Sequence, residues 1–365
     1  MIEARFGESA PFSLGVEEEV MILDPETYEM VPRVDALVRE TDAGRLKTEL
    51  FASVVELNTP VCESAVEAVS CLAALRAAAA AAAAEHGLLV AAAGSHPFSA
   101  AERQEIAADE RYREFVDYAG RTARRQGVNG LHVHVGVPSG DACIAVLERV
   151  LPWLPLVLAL SANSPYLDGE ETGLRSTRAE VLATLPRSGA PPVFGSYGGW
   201  ERFVERWTNS GLPFARDHTS YWWDVRPHPT FGTLEIRMPD QPTALALTGA
   251  FVALLQALCK TMAEQDGAPS AAERGDYQQN RWAASSFGPR AELLHPDGDK
   301  AVPAEELFAE LGELVAPALA DLGADGLLAA LDPSRCEADR QLEIGRRDGL
   351  RALCADLVKR SLASP

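Results

Sequence analysis

Four short segments of this chain alternate apolar side chains with ionisable ones, and this pattern constrains the fold more than any other feature. The segments are residues 14–22, 54–58, 131–135 and 232–238. Successive side chains of a β-strand point to opposite faces of the sheet, so residues two apart share a face. Each segment therefore predicts a strand with one apolar face, which packs on a core, and one polar face.

Stretches of helical character separate these segments and differ in length. Alternating rather than continuously apolar strands favour an antiparallel sheet with one covered face, so we predict an α+β fold with flanking helices. No repeat or flexible linker divides the sequence, which predicts one domain over residues 1–365, helical from about residue 266. Strands are expected at 12–23, 54–59, 88–93, 131–137 and 232–238, helices at 63–86, 102–126, 141–151, 201–209, 243–264, 304–322 and 348–362, and loops at 267–276 and 288–303.

The polar faces carry side chains of the types that bind metals and phosphates. In chain order these are Glu17 and Glu19, Glu56, His132 and His134, and Glu235 and Arg237. If the four segments join in one sheet, their carboxylates repel one another unless cations are bound. Oxygen-rich sites with an occasional imidazole suit hard divalent ions such as Mg²⁺ or Mn²⁺. Such a surface, with an arginine, can hold a nucleotide triphosphate and stabilise a transferred phosphoryl group.

Each of these patterns also has an ordinary structural explanation. A run of three glutamates is often a solvated strand edge, a His-x-His is often a surface feature, and a Glu-x-Arg is often an exposed ion pair of little energetic weight. The functional interpretation is favoured because four separate segments show the same alternation. Glu49 precedes Glu56 by seven residues, so it can join the cluster only through a turn or bulge.

Several competing kinds of site are absent from the sequence. It contains no GxxxxGK[ST] phosphate loop, no GxGxxG after a strand, no GxSxG elbow and no HExxH motif. A zinc hydrolase barrel would need regular alternation of strands and helices, which the order of segments does not provide.

The net charge of −20 excludes two classes of partner. A strongly acidic protein does not gain from counterion release on phosphates and is repelled by anionic lipids, so we expect neither nucleic acid nor membrane binding. The N-terminal residues show no secretory signal, and six scattered cysteines form no disulfide framework, so a cytoplasmic protein with reduced thiols is expected. The most apolar run, residues 146–162, contains two charged residues and two prolines and is expected to be too short and broken to cross a bilayer.

Five stretches of the chain resemble the type 2 glutamate–cysteine ligases and, more closely, the YbdK-type carboxylate–amine ligases. They are FSLGVEEE from residue 12, ELFASVVELNT from 49, GLHVHVG from 130, LALSANSP from 158 and WWDVRPHPTFGTLEIR from 222. The match is collinear from about residue 10 to about residue 265. The resemblance implies a glutamine synthetase-like catalytic domain on a curved antiparallel sheet. It also implies ATP- and Mg²⁺-dependent amide formation through an acyl phosphate.

The resemblance assigns roles to individual residues. Arg237 would stabilise the transferred phosphoryl group, and Glu56 would be both a catalytic residue and a metal ligand. The implied metal ligands are Glu17, Glu19, Glu49, Glu56, His132 and Glu235.

Four further residues are predicted to bind substrate or nucleotide. His134 belongs to the family pattern, and His96 lies in the stretch GSHPF, which resembles another family block. Arg178 and Arg226 are candidate carboxylate clamps, because a guanidinium binds a carboxylate through two parallel hydrogen bonds. A structural role is the alternative for both arginines.

Two stretches depart from the family pattern. Residues 283–287 read AASSF in place of a basic-rich stretch, and residues 340–342 read RQL in place of an Arg-Gln-Arg-like element. Since a few pocket contacts set specificity, these departures leave the acid and the amine open. We predict an ATP-dependent carboxylate–amine ligase for small-molecule acids and amines, with glutamate and cysteine as the reference pair. A guanidino-kinase-like phosphotransferase and a non-catalytic binding relative are the alternatives, and the family suggests a homodimer.

Overall fold

The computed structural model describes residues 3–40, 45–212, 214, 217–298 and 300–363. Its strands are β1 (Leu14–Leu23), β2 (Leu46–Thr48), β3 (Val54–Asn58), β4 (Leu89–Ala91), β5 (Leu131–Gly136), β6 (Tyr166–Leu167), β7 (Glu170–Glu171), β8 (Ser188–Gly189), β9 (Trp222–Trp223), β10 (Val225–His228), β11 (Thr233–Ile236), β12 (Glu292–Leu294) and β13 (Ala301–Pro303). Seven of them form one sheet in the order β10-β11-β5-β1-β3-β2, with β4 paired to β1. Every pairing in this sheet is antiparallel, as predicted.

The helices are α1 (Val34–Glu40), α2 (Ala65–Glu85), α3 (Glu110–Ala119), α4 (Arg121–Arg124), α5 (Gly140–Val150), α6 (Leu154–Ser161), α7 (Thr177–Leu182), α8 (Tyr197–Thr208), α9 (Leu245–Ala263), α10 (Arg274–Phe287), α11 (Ala304–Asp321), α12 (Glu337–Asp348) and α13 (Leu350–Ser361). The single helix expected over residues 102–126 is wrong. Gly120, with a φ of +57°, separates α3 from α4, and an extended stretch precedes α3.

The C-terminal third also differs from the expected loops. Helix α10 begins at Arg274, inside the stretch expected to be a loop, and β12 pairs with β13 within residues 288–303. After residue 266 the described chain forms α10 to α13 and this hairpin. That residues 1–365 constitute one domain stays a prediction.

The two faces of β1 have different environments. Leu14, Val16, Val20 and Ile22 are buried in the core, which α2 and α9 help to form behind the sheet. Glu17 belongs to the opposite face, which opens into a cavity. The alternation of side chains along the strand therefore separates the core from the candidate site.

Three helical stretches are long and apolar enough to span a bilayer by length and composition alone. They are α2, the continuous stretch Gly140–Ser161 and α9. The expectation that prolines break the middle stretch is wrong. Pro152 lies in the first turn of the helical segment Leu151–Trp153 and Pro155 in the first turn of α6, where proline is tolerated. Within Gly140–Ser161, 83% of the apolar 18-residue segment is buried inside the protein, and the corresponding share for α9 is 78%.

A buried ion pair connects β1 to α2 on the core side. Glu18 is fully buried, and Arg76 of α2 binds its two carboxylate oxygens at 2.6 and 2.7 Å. Thr248 and Gln241 donate further hydrogen bonds to Glu18, at 2.7 and 3.0 Å. Gln241 also accepts a hydrogen bond from the backbone N–H of Glu19 at 3.0 Å. The network thus holds β1 at the residues that flank the open face.

Candidate active site

The sheet register places polar side chains of six strands in three cross-strand rows on the open face. Residues that pair directly across antiparallel strands point to the same side of the sheet. The first row is Lys47–Glu56–Glu19, the second is Asn58–Glu17–His132, and the third is His134–Glu235–Arg226. The four segments singled out in the sequence therefore share one polar face.

Glu17, His134 and Glu235 form a cluster whose ligand atoms all lie within 4.8 Å of one another. Nδ1 of His134 lies 3.0 Å from the hydroxyl of Thr233, and its Nε2 is buried without a hydrogen-bond partner. This Nε2 lies 3.6 Å from Oε1 of Glu17, which is beyond hydrogen-bond distance. Two carboxylates and an imidazole nitrogen without a partner fit a divalent cation.

His132 lies between Glu17 and Arg237. Its Nδ1 is 3.1 Å from Oε2 of Glu17 and 3.4 Å from Nη1 of Arg237. Burial and the charge of Arg237 lower the pKa of His132 to about 4, so the imidazole is neutral and can act as a ligand. Burial alone would raise the pKa of Glu17, but the imidazoles of His132 and His134 outweigh burial and lower it well below its usual value.

Glu19, Glu49 and Glu56 crowd together beside this cluster. Burial and the charge of Glu49 raise the pKa of Glu19 to about 8. Burial also raises the pKa of Glu49, and burial with the charges of Glu17 and Glu49 raises that of Glu56 well above its usual value. Such crowding disfavours ionised carboxylates unless a cation is bound between them.

The position of Glu49 explains how it joins the cluster. It follows β2 directly and lies in the connection to β3, so the chain turns between Glu49 and Glu56. The hydroxyl of Tyr112 donates to Oε2 of Glu49 at 3.0 Å. The turn that the spacing of the two glutamates required is therefore present.

Arg226 and Arg237 both bind Glu235. Arg226 grips the carboxylate at 2.6 and 3.0 Å, and Nη1 of Arg237 donates to it at 2.5 Å. Although burial opposes the effect, the two guanidinium groups hold the pKa of Glu235 well below its usual range. Nη1 of Arg226 donates to the carbonyls of Thr219 and Tyr221. Arg237 keeps part of its side chain open to the cavity.

Two other predicted residues have mainly structural contacts. Arg178 lines the cavity, but its guanidinium donates to the carbonyls of Arg237 and Met238 at 2.9 and 3.1 Å. These contacts favour the structural alternative that was left open for Arg178, and those of Arg226 do the same. His96 is not among the described residues that line the cavities, and its Nε2 lies 2.8 Å from the carbonyl of Tyr28.

Two cavities open along the polar face and meet at Glu17 and Lys47. The larger, of about 760 Å³, holds Glu19, Glu49 and Arg237. The smaller, of about 480 Å³, extends past His134. The sequence did not reveal several lining residues, because they lie on short or distant elements. They are Lys47 on the three-residue β2, Tyr112 and Phe115 on α3, and Trp222 on the two-residue β9.

The contact of Gly130 with Arg178 leads to a prediction. A Cβ at residue 130 would overlap the guanidinium of Arg178, while the N–H of Gly130 donates to Glu19 at 2.5 Å. We expect Gly130→Ala to lower the unfolding free energy by about 1–3 kcal/mol, as overpacking does. Thermal unfolding measures the loss of stability, and turnover shows whether the substitution also affects activity. Gly312→Ala, on α11 with open space around it, should instead add about 0.5–1 kcal/mol. Equal effects of the two substitutions would contradict this explanation.

The structure is an open antiparallel sheet backed by helices, with carboxylates, imidazoles and a guanidinium on its open face. Solved structures share this fold. The glutamate–cysteine ligase of Francisella tularensis, in complex with AMP, superposes with a TM-score of 0.70 at 14% identity, over 97% of this chain and 89% of that one. A bifunctional glutathione synthetase of Pasteurella multocida has a TM-score of 0.68 at 16% identity, over 96% of this chain and 52% of that one.

The chain belongs to glutamate–cysteine ligase family 2, whose model matches residues 13–352. A Rubrobacter xylanophilus protein, assigned by its name as glutamate–cysteine ligase 2-3, is 39% identical over 95% of this chain and 96% of its own. A Herpetosiphon aurantiacus protein, assigned as glutamate–cysteine ligase 2, is 33% identical over 96% of this chain and 94% of its own. The predicted family, the α+β glutamine synthetase-like fold and the class of ATP-dependent carboxylate–amine ligase are confirmed.

Proposed function

We propose that this protein forms an amide from a carboxylate and an amine through an acyl phosphate, with glutamate as the reference acid and cysteine as the reference amine. The reference pair is the one in the names of its relatives. One observation carries the proposal: the crowded carboxylates and Arg237 line one cavity on the open face of the sheet. A guanidino kinase-like phosphotransferase is not favoured by the family or the fold.

The reaction has two steps, formation of the acyl phosphate and its capture by the amine. A carboxylate oxygen of the acid attacks the γ-phosphorus of ATP, and the bond to the ADP oxygen breaks, which gives an acyl phosphate and ADP. The amine nitrogen then attacks the acyl carbon, the bond to the phosphate oxygen breaks, and the nitrogen gives up a proton. Arg237 offers donors to the oxygens of the transferred phosphoryl group, where charge develops in the transition state. Arg226 and Glu235 hold the guanidinium of Arg237 in place through its 2.5 Å contact with Glu235.

Magnesium, or manganese, is the proposed metal. Glu17, His134 and Glu235 would hold one ion, and Glu19, Glu49 and Glu56 would hold another, with His132 able to serve either group. When bound, such ions neutralise the triphosphate and the charge that develops on the phosphoryl group. The orphaned Nε2 of His134 and the raised pKa values of Glu19, Glu49 and Glu56 support this assignment.

ATP is proposed to lie in the smaller cavity. Its lining includes Arg5, Arg45 and Lys47, whose charges suit a polyanion. Phe231 is half exposed there and offers an aromatic face for a base. The smaller cavity meets the larger one at Glu17, so a triphosphate can reach the carboxylate cluster from this side.

The metal assignment predicts a pH-dependent stability. Because burial and Glu49 raise the pKa of Glu19 to about 8 from 4.5, the folded protein without metal binds more protons than the unfolded chain between these values. The contribution of Glu19 to the stability of the metal-free protein is present below pH 4.5 and is lost as the pH rises through 8. Bound Mg²⁺ should remove this loss, since it favours ionised carboxylates.

Thermal unfolding in EDTA and in Mg²⁺ tests this expectation. We expect Mg²⁺ to raise the midpoint more at about pH 8 than at about pH 5.5. Glu19→Gln should reduce the difference between the two pH values. An equal shift by Mg²⁺ at both values would contradict the assignment of Glu19 as a ligand.

The proposed reaction is tested by a screen for ADP release with a panel of acids and amines, followed by mass spectrometry of the products. The expected result is phosphate release that requires both an acid and an amine, together with an amide product. A phosphorylated guanidino product would support the phosphotransferase. Protein that binds Mg-ATP but forms no product with a broad panel would support the non-catalytic alternative.

A further inference from the structure

One side of the larger cavity is aromatic. Tyr112 and Phe115 of α3, together with Phe214 and Trp222, line it, and we call these four residues the aromatic wall. The ring centroid of Phe115 lies 5.1 Å from that of Phe214 and 5.0 Å from that of Trp222. The rings of Phe214 and Trp222 are parallel, with centroids 5.8 Å apart. Phe115, Phe214 and Trp222 therefore form one packed surface rather than a set of separate rings.

The aromatic wall adjoins the carboxylate cluster. Tyr112 belongs to the same apolar cluster as Phe115 and Leu50, and its hydroxyl binds Glu49 at 3.0 Å. Trp222 and Phe214 are neither fully buried nor fully exposed, so each keeps surface that a bound molecule can cover. Leu182 and Leu185 extend the apolar lining. A molecule that reaches the cluster from this side gains free energy by burying an apolar group against the wall.

Of the described residues that line the larger cavity, eight are acidic and five are basic, and this excess of acidic groups disfavours a carboxylate on that molecule. Asp109, Glu110 and Asp217 line the same cavity and attract a cation. Arg178 and Arg226, which could pair with a substrate carboxylate, already donate to protein carbonyls and to Glu235. The guanidinium of Arg111 lies 4.9 Å from the ring centroid of Tyr112 and donates to the hydroxyl of that residue.

We propose that the amine substrate carries an aryl or alkyl group and no carboxylate, and that this group packs on the aromatic wall. The inference rests on the proposed function and names the class of its second substrate. The ammonium form of such an amine is attracted by Asp109, Glu110 and Asp217, which we call the acidic rim, and its apolar body covers Phe214 and Trp222. A cysteine-like acceptor would bring a carboxylate to this rim and too little apolar surface to cover the wall.

The first experiment compares matched amines with the wild-type protein, ATP, Mg²⁺ and the acid that the screen identifies. Phenethylamine and phenylalanine differ only by a carboxylate, and phenethylamine and ethylamine differ only by the phenyl ring. We expect kcat/KM for phenethylamine to exceed that for either of the other two by roughly 10–100-fold. Amide formation that favours phenylalanine or cysteine over phenethylamine would overturn the inference and leave the proposed function standing. No amide with any amine would count against the proposed function itself.

The second experiment locates the apolar group. Trp222→Leu should raise KM for phenethylamine by about 10-fold and leave KM for ATP unchanged, because only the amine covers the wall. Trp282→Leu is the matched control, since Trp282 is half exposed on α10 and is not among the residues that line the cavity. A rise in KM for ATP with Trp222→Leu would show that the wall binds the base, and this result would overturn the inference.

Discussion

Glu17→Gln should lower kcat for amide formation by roughly 10²–10³-fold and leave the protein folded. Glu17 lies 3.1 Å from His132 and 3.6 Å from His134, at the point where the two cavities meet. The amide keeps the size of the carboxylate but removes a charge that a bound cation requires. ADP release at saturating substrates, measured over a range of Mg²⁺ concentrations, checks the result, and the Mg²⁺ requirement should rise.

Glu26→Gln provides the control for this substitution. Glu26 follows β1 in an exposed turn and is not among the residues that line either cavity. It removes the same charge from the protein, so any general effect of net charge appears in both variants. If Glu17→Gln retained more than about a tenth of the activity, at an unchanged Mg²⁺ requirement, the assignment of Glu17 as a metal ligand would be wrong.

Arg76→Ala should lower the free energy of unfolding by about 3–5 kcal/mol, because it leaves the buried carboxylate of Glu18 without its cation. Thr248 and Gln241 still donate to that carboxylate, but neither supplies a charge. Urea denaturation measures the loss as a lower midpoint at an unchanged slope.

The double variant Glu18→Leu/Arg76→Leu separates loss of the pair from loss of packing. Since replacing a whole buried ion pair with apolar residues is often close to neutral, this variant should recover most of the stability. If Arg76→Ala lowered the free energy of unfolding by less than about 1 kcal/mol, the ion pair would be unimportant for stability. A double variant as unstable as Arg76→Ala would instead assign the effect to lost packing.

Strand alternation was sufficient to predict the polar face of the sheet. The rows that contain Glu17, Glu19 and Glu56 follow from a period of two residues and an antiparallel register. Alternation could not place Glu49, because its position depends on the turn between β2 and β3. It also could not show which imidazole nitrogen has a partner. That depends on the hydroxyl of Thr233, which lies 99 residues from His134.

The aromatic wall could not be predicted from the sequence, for a different reason. Its members come from α3, Phe214 and the short β9, and no local period relates them. The orientation of each ring is fixed by packing between segments about 100 residues apart. The structural contacts of Arg178 and Arg226 also depend on distant or non-periodic backbone carbonyls.

Helix α3 and strand β9 carry most of the aromatic wall, and neither belongs to the seven-stranded sheet. If the aromatic wall selects the amine, substitutions in these segments should change the amine that this protein accepts and leave the proposed phosphoryl-transfer residues unaltered. The hydrogen bond from Tyr112 to Glu49 connects the two parts. A mutant library limited to Phe115, Phe214 and Trp222 would leave that connection in place. Such a library offers a practical route to new amide products from one catalytic scaffold.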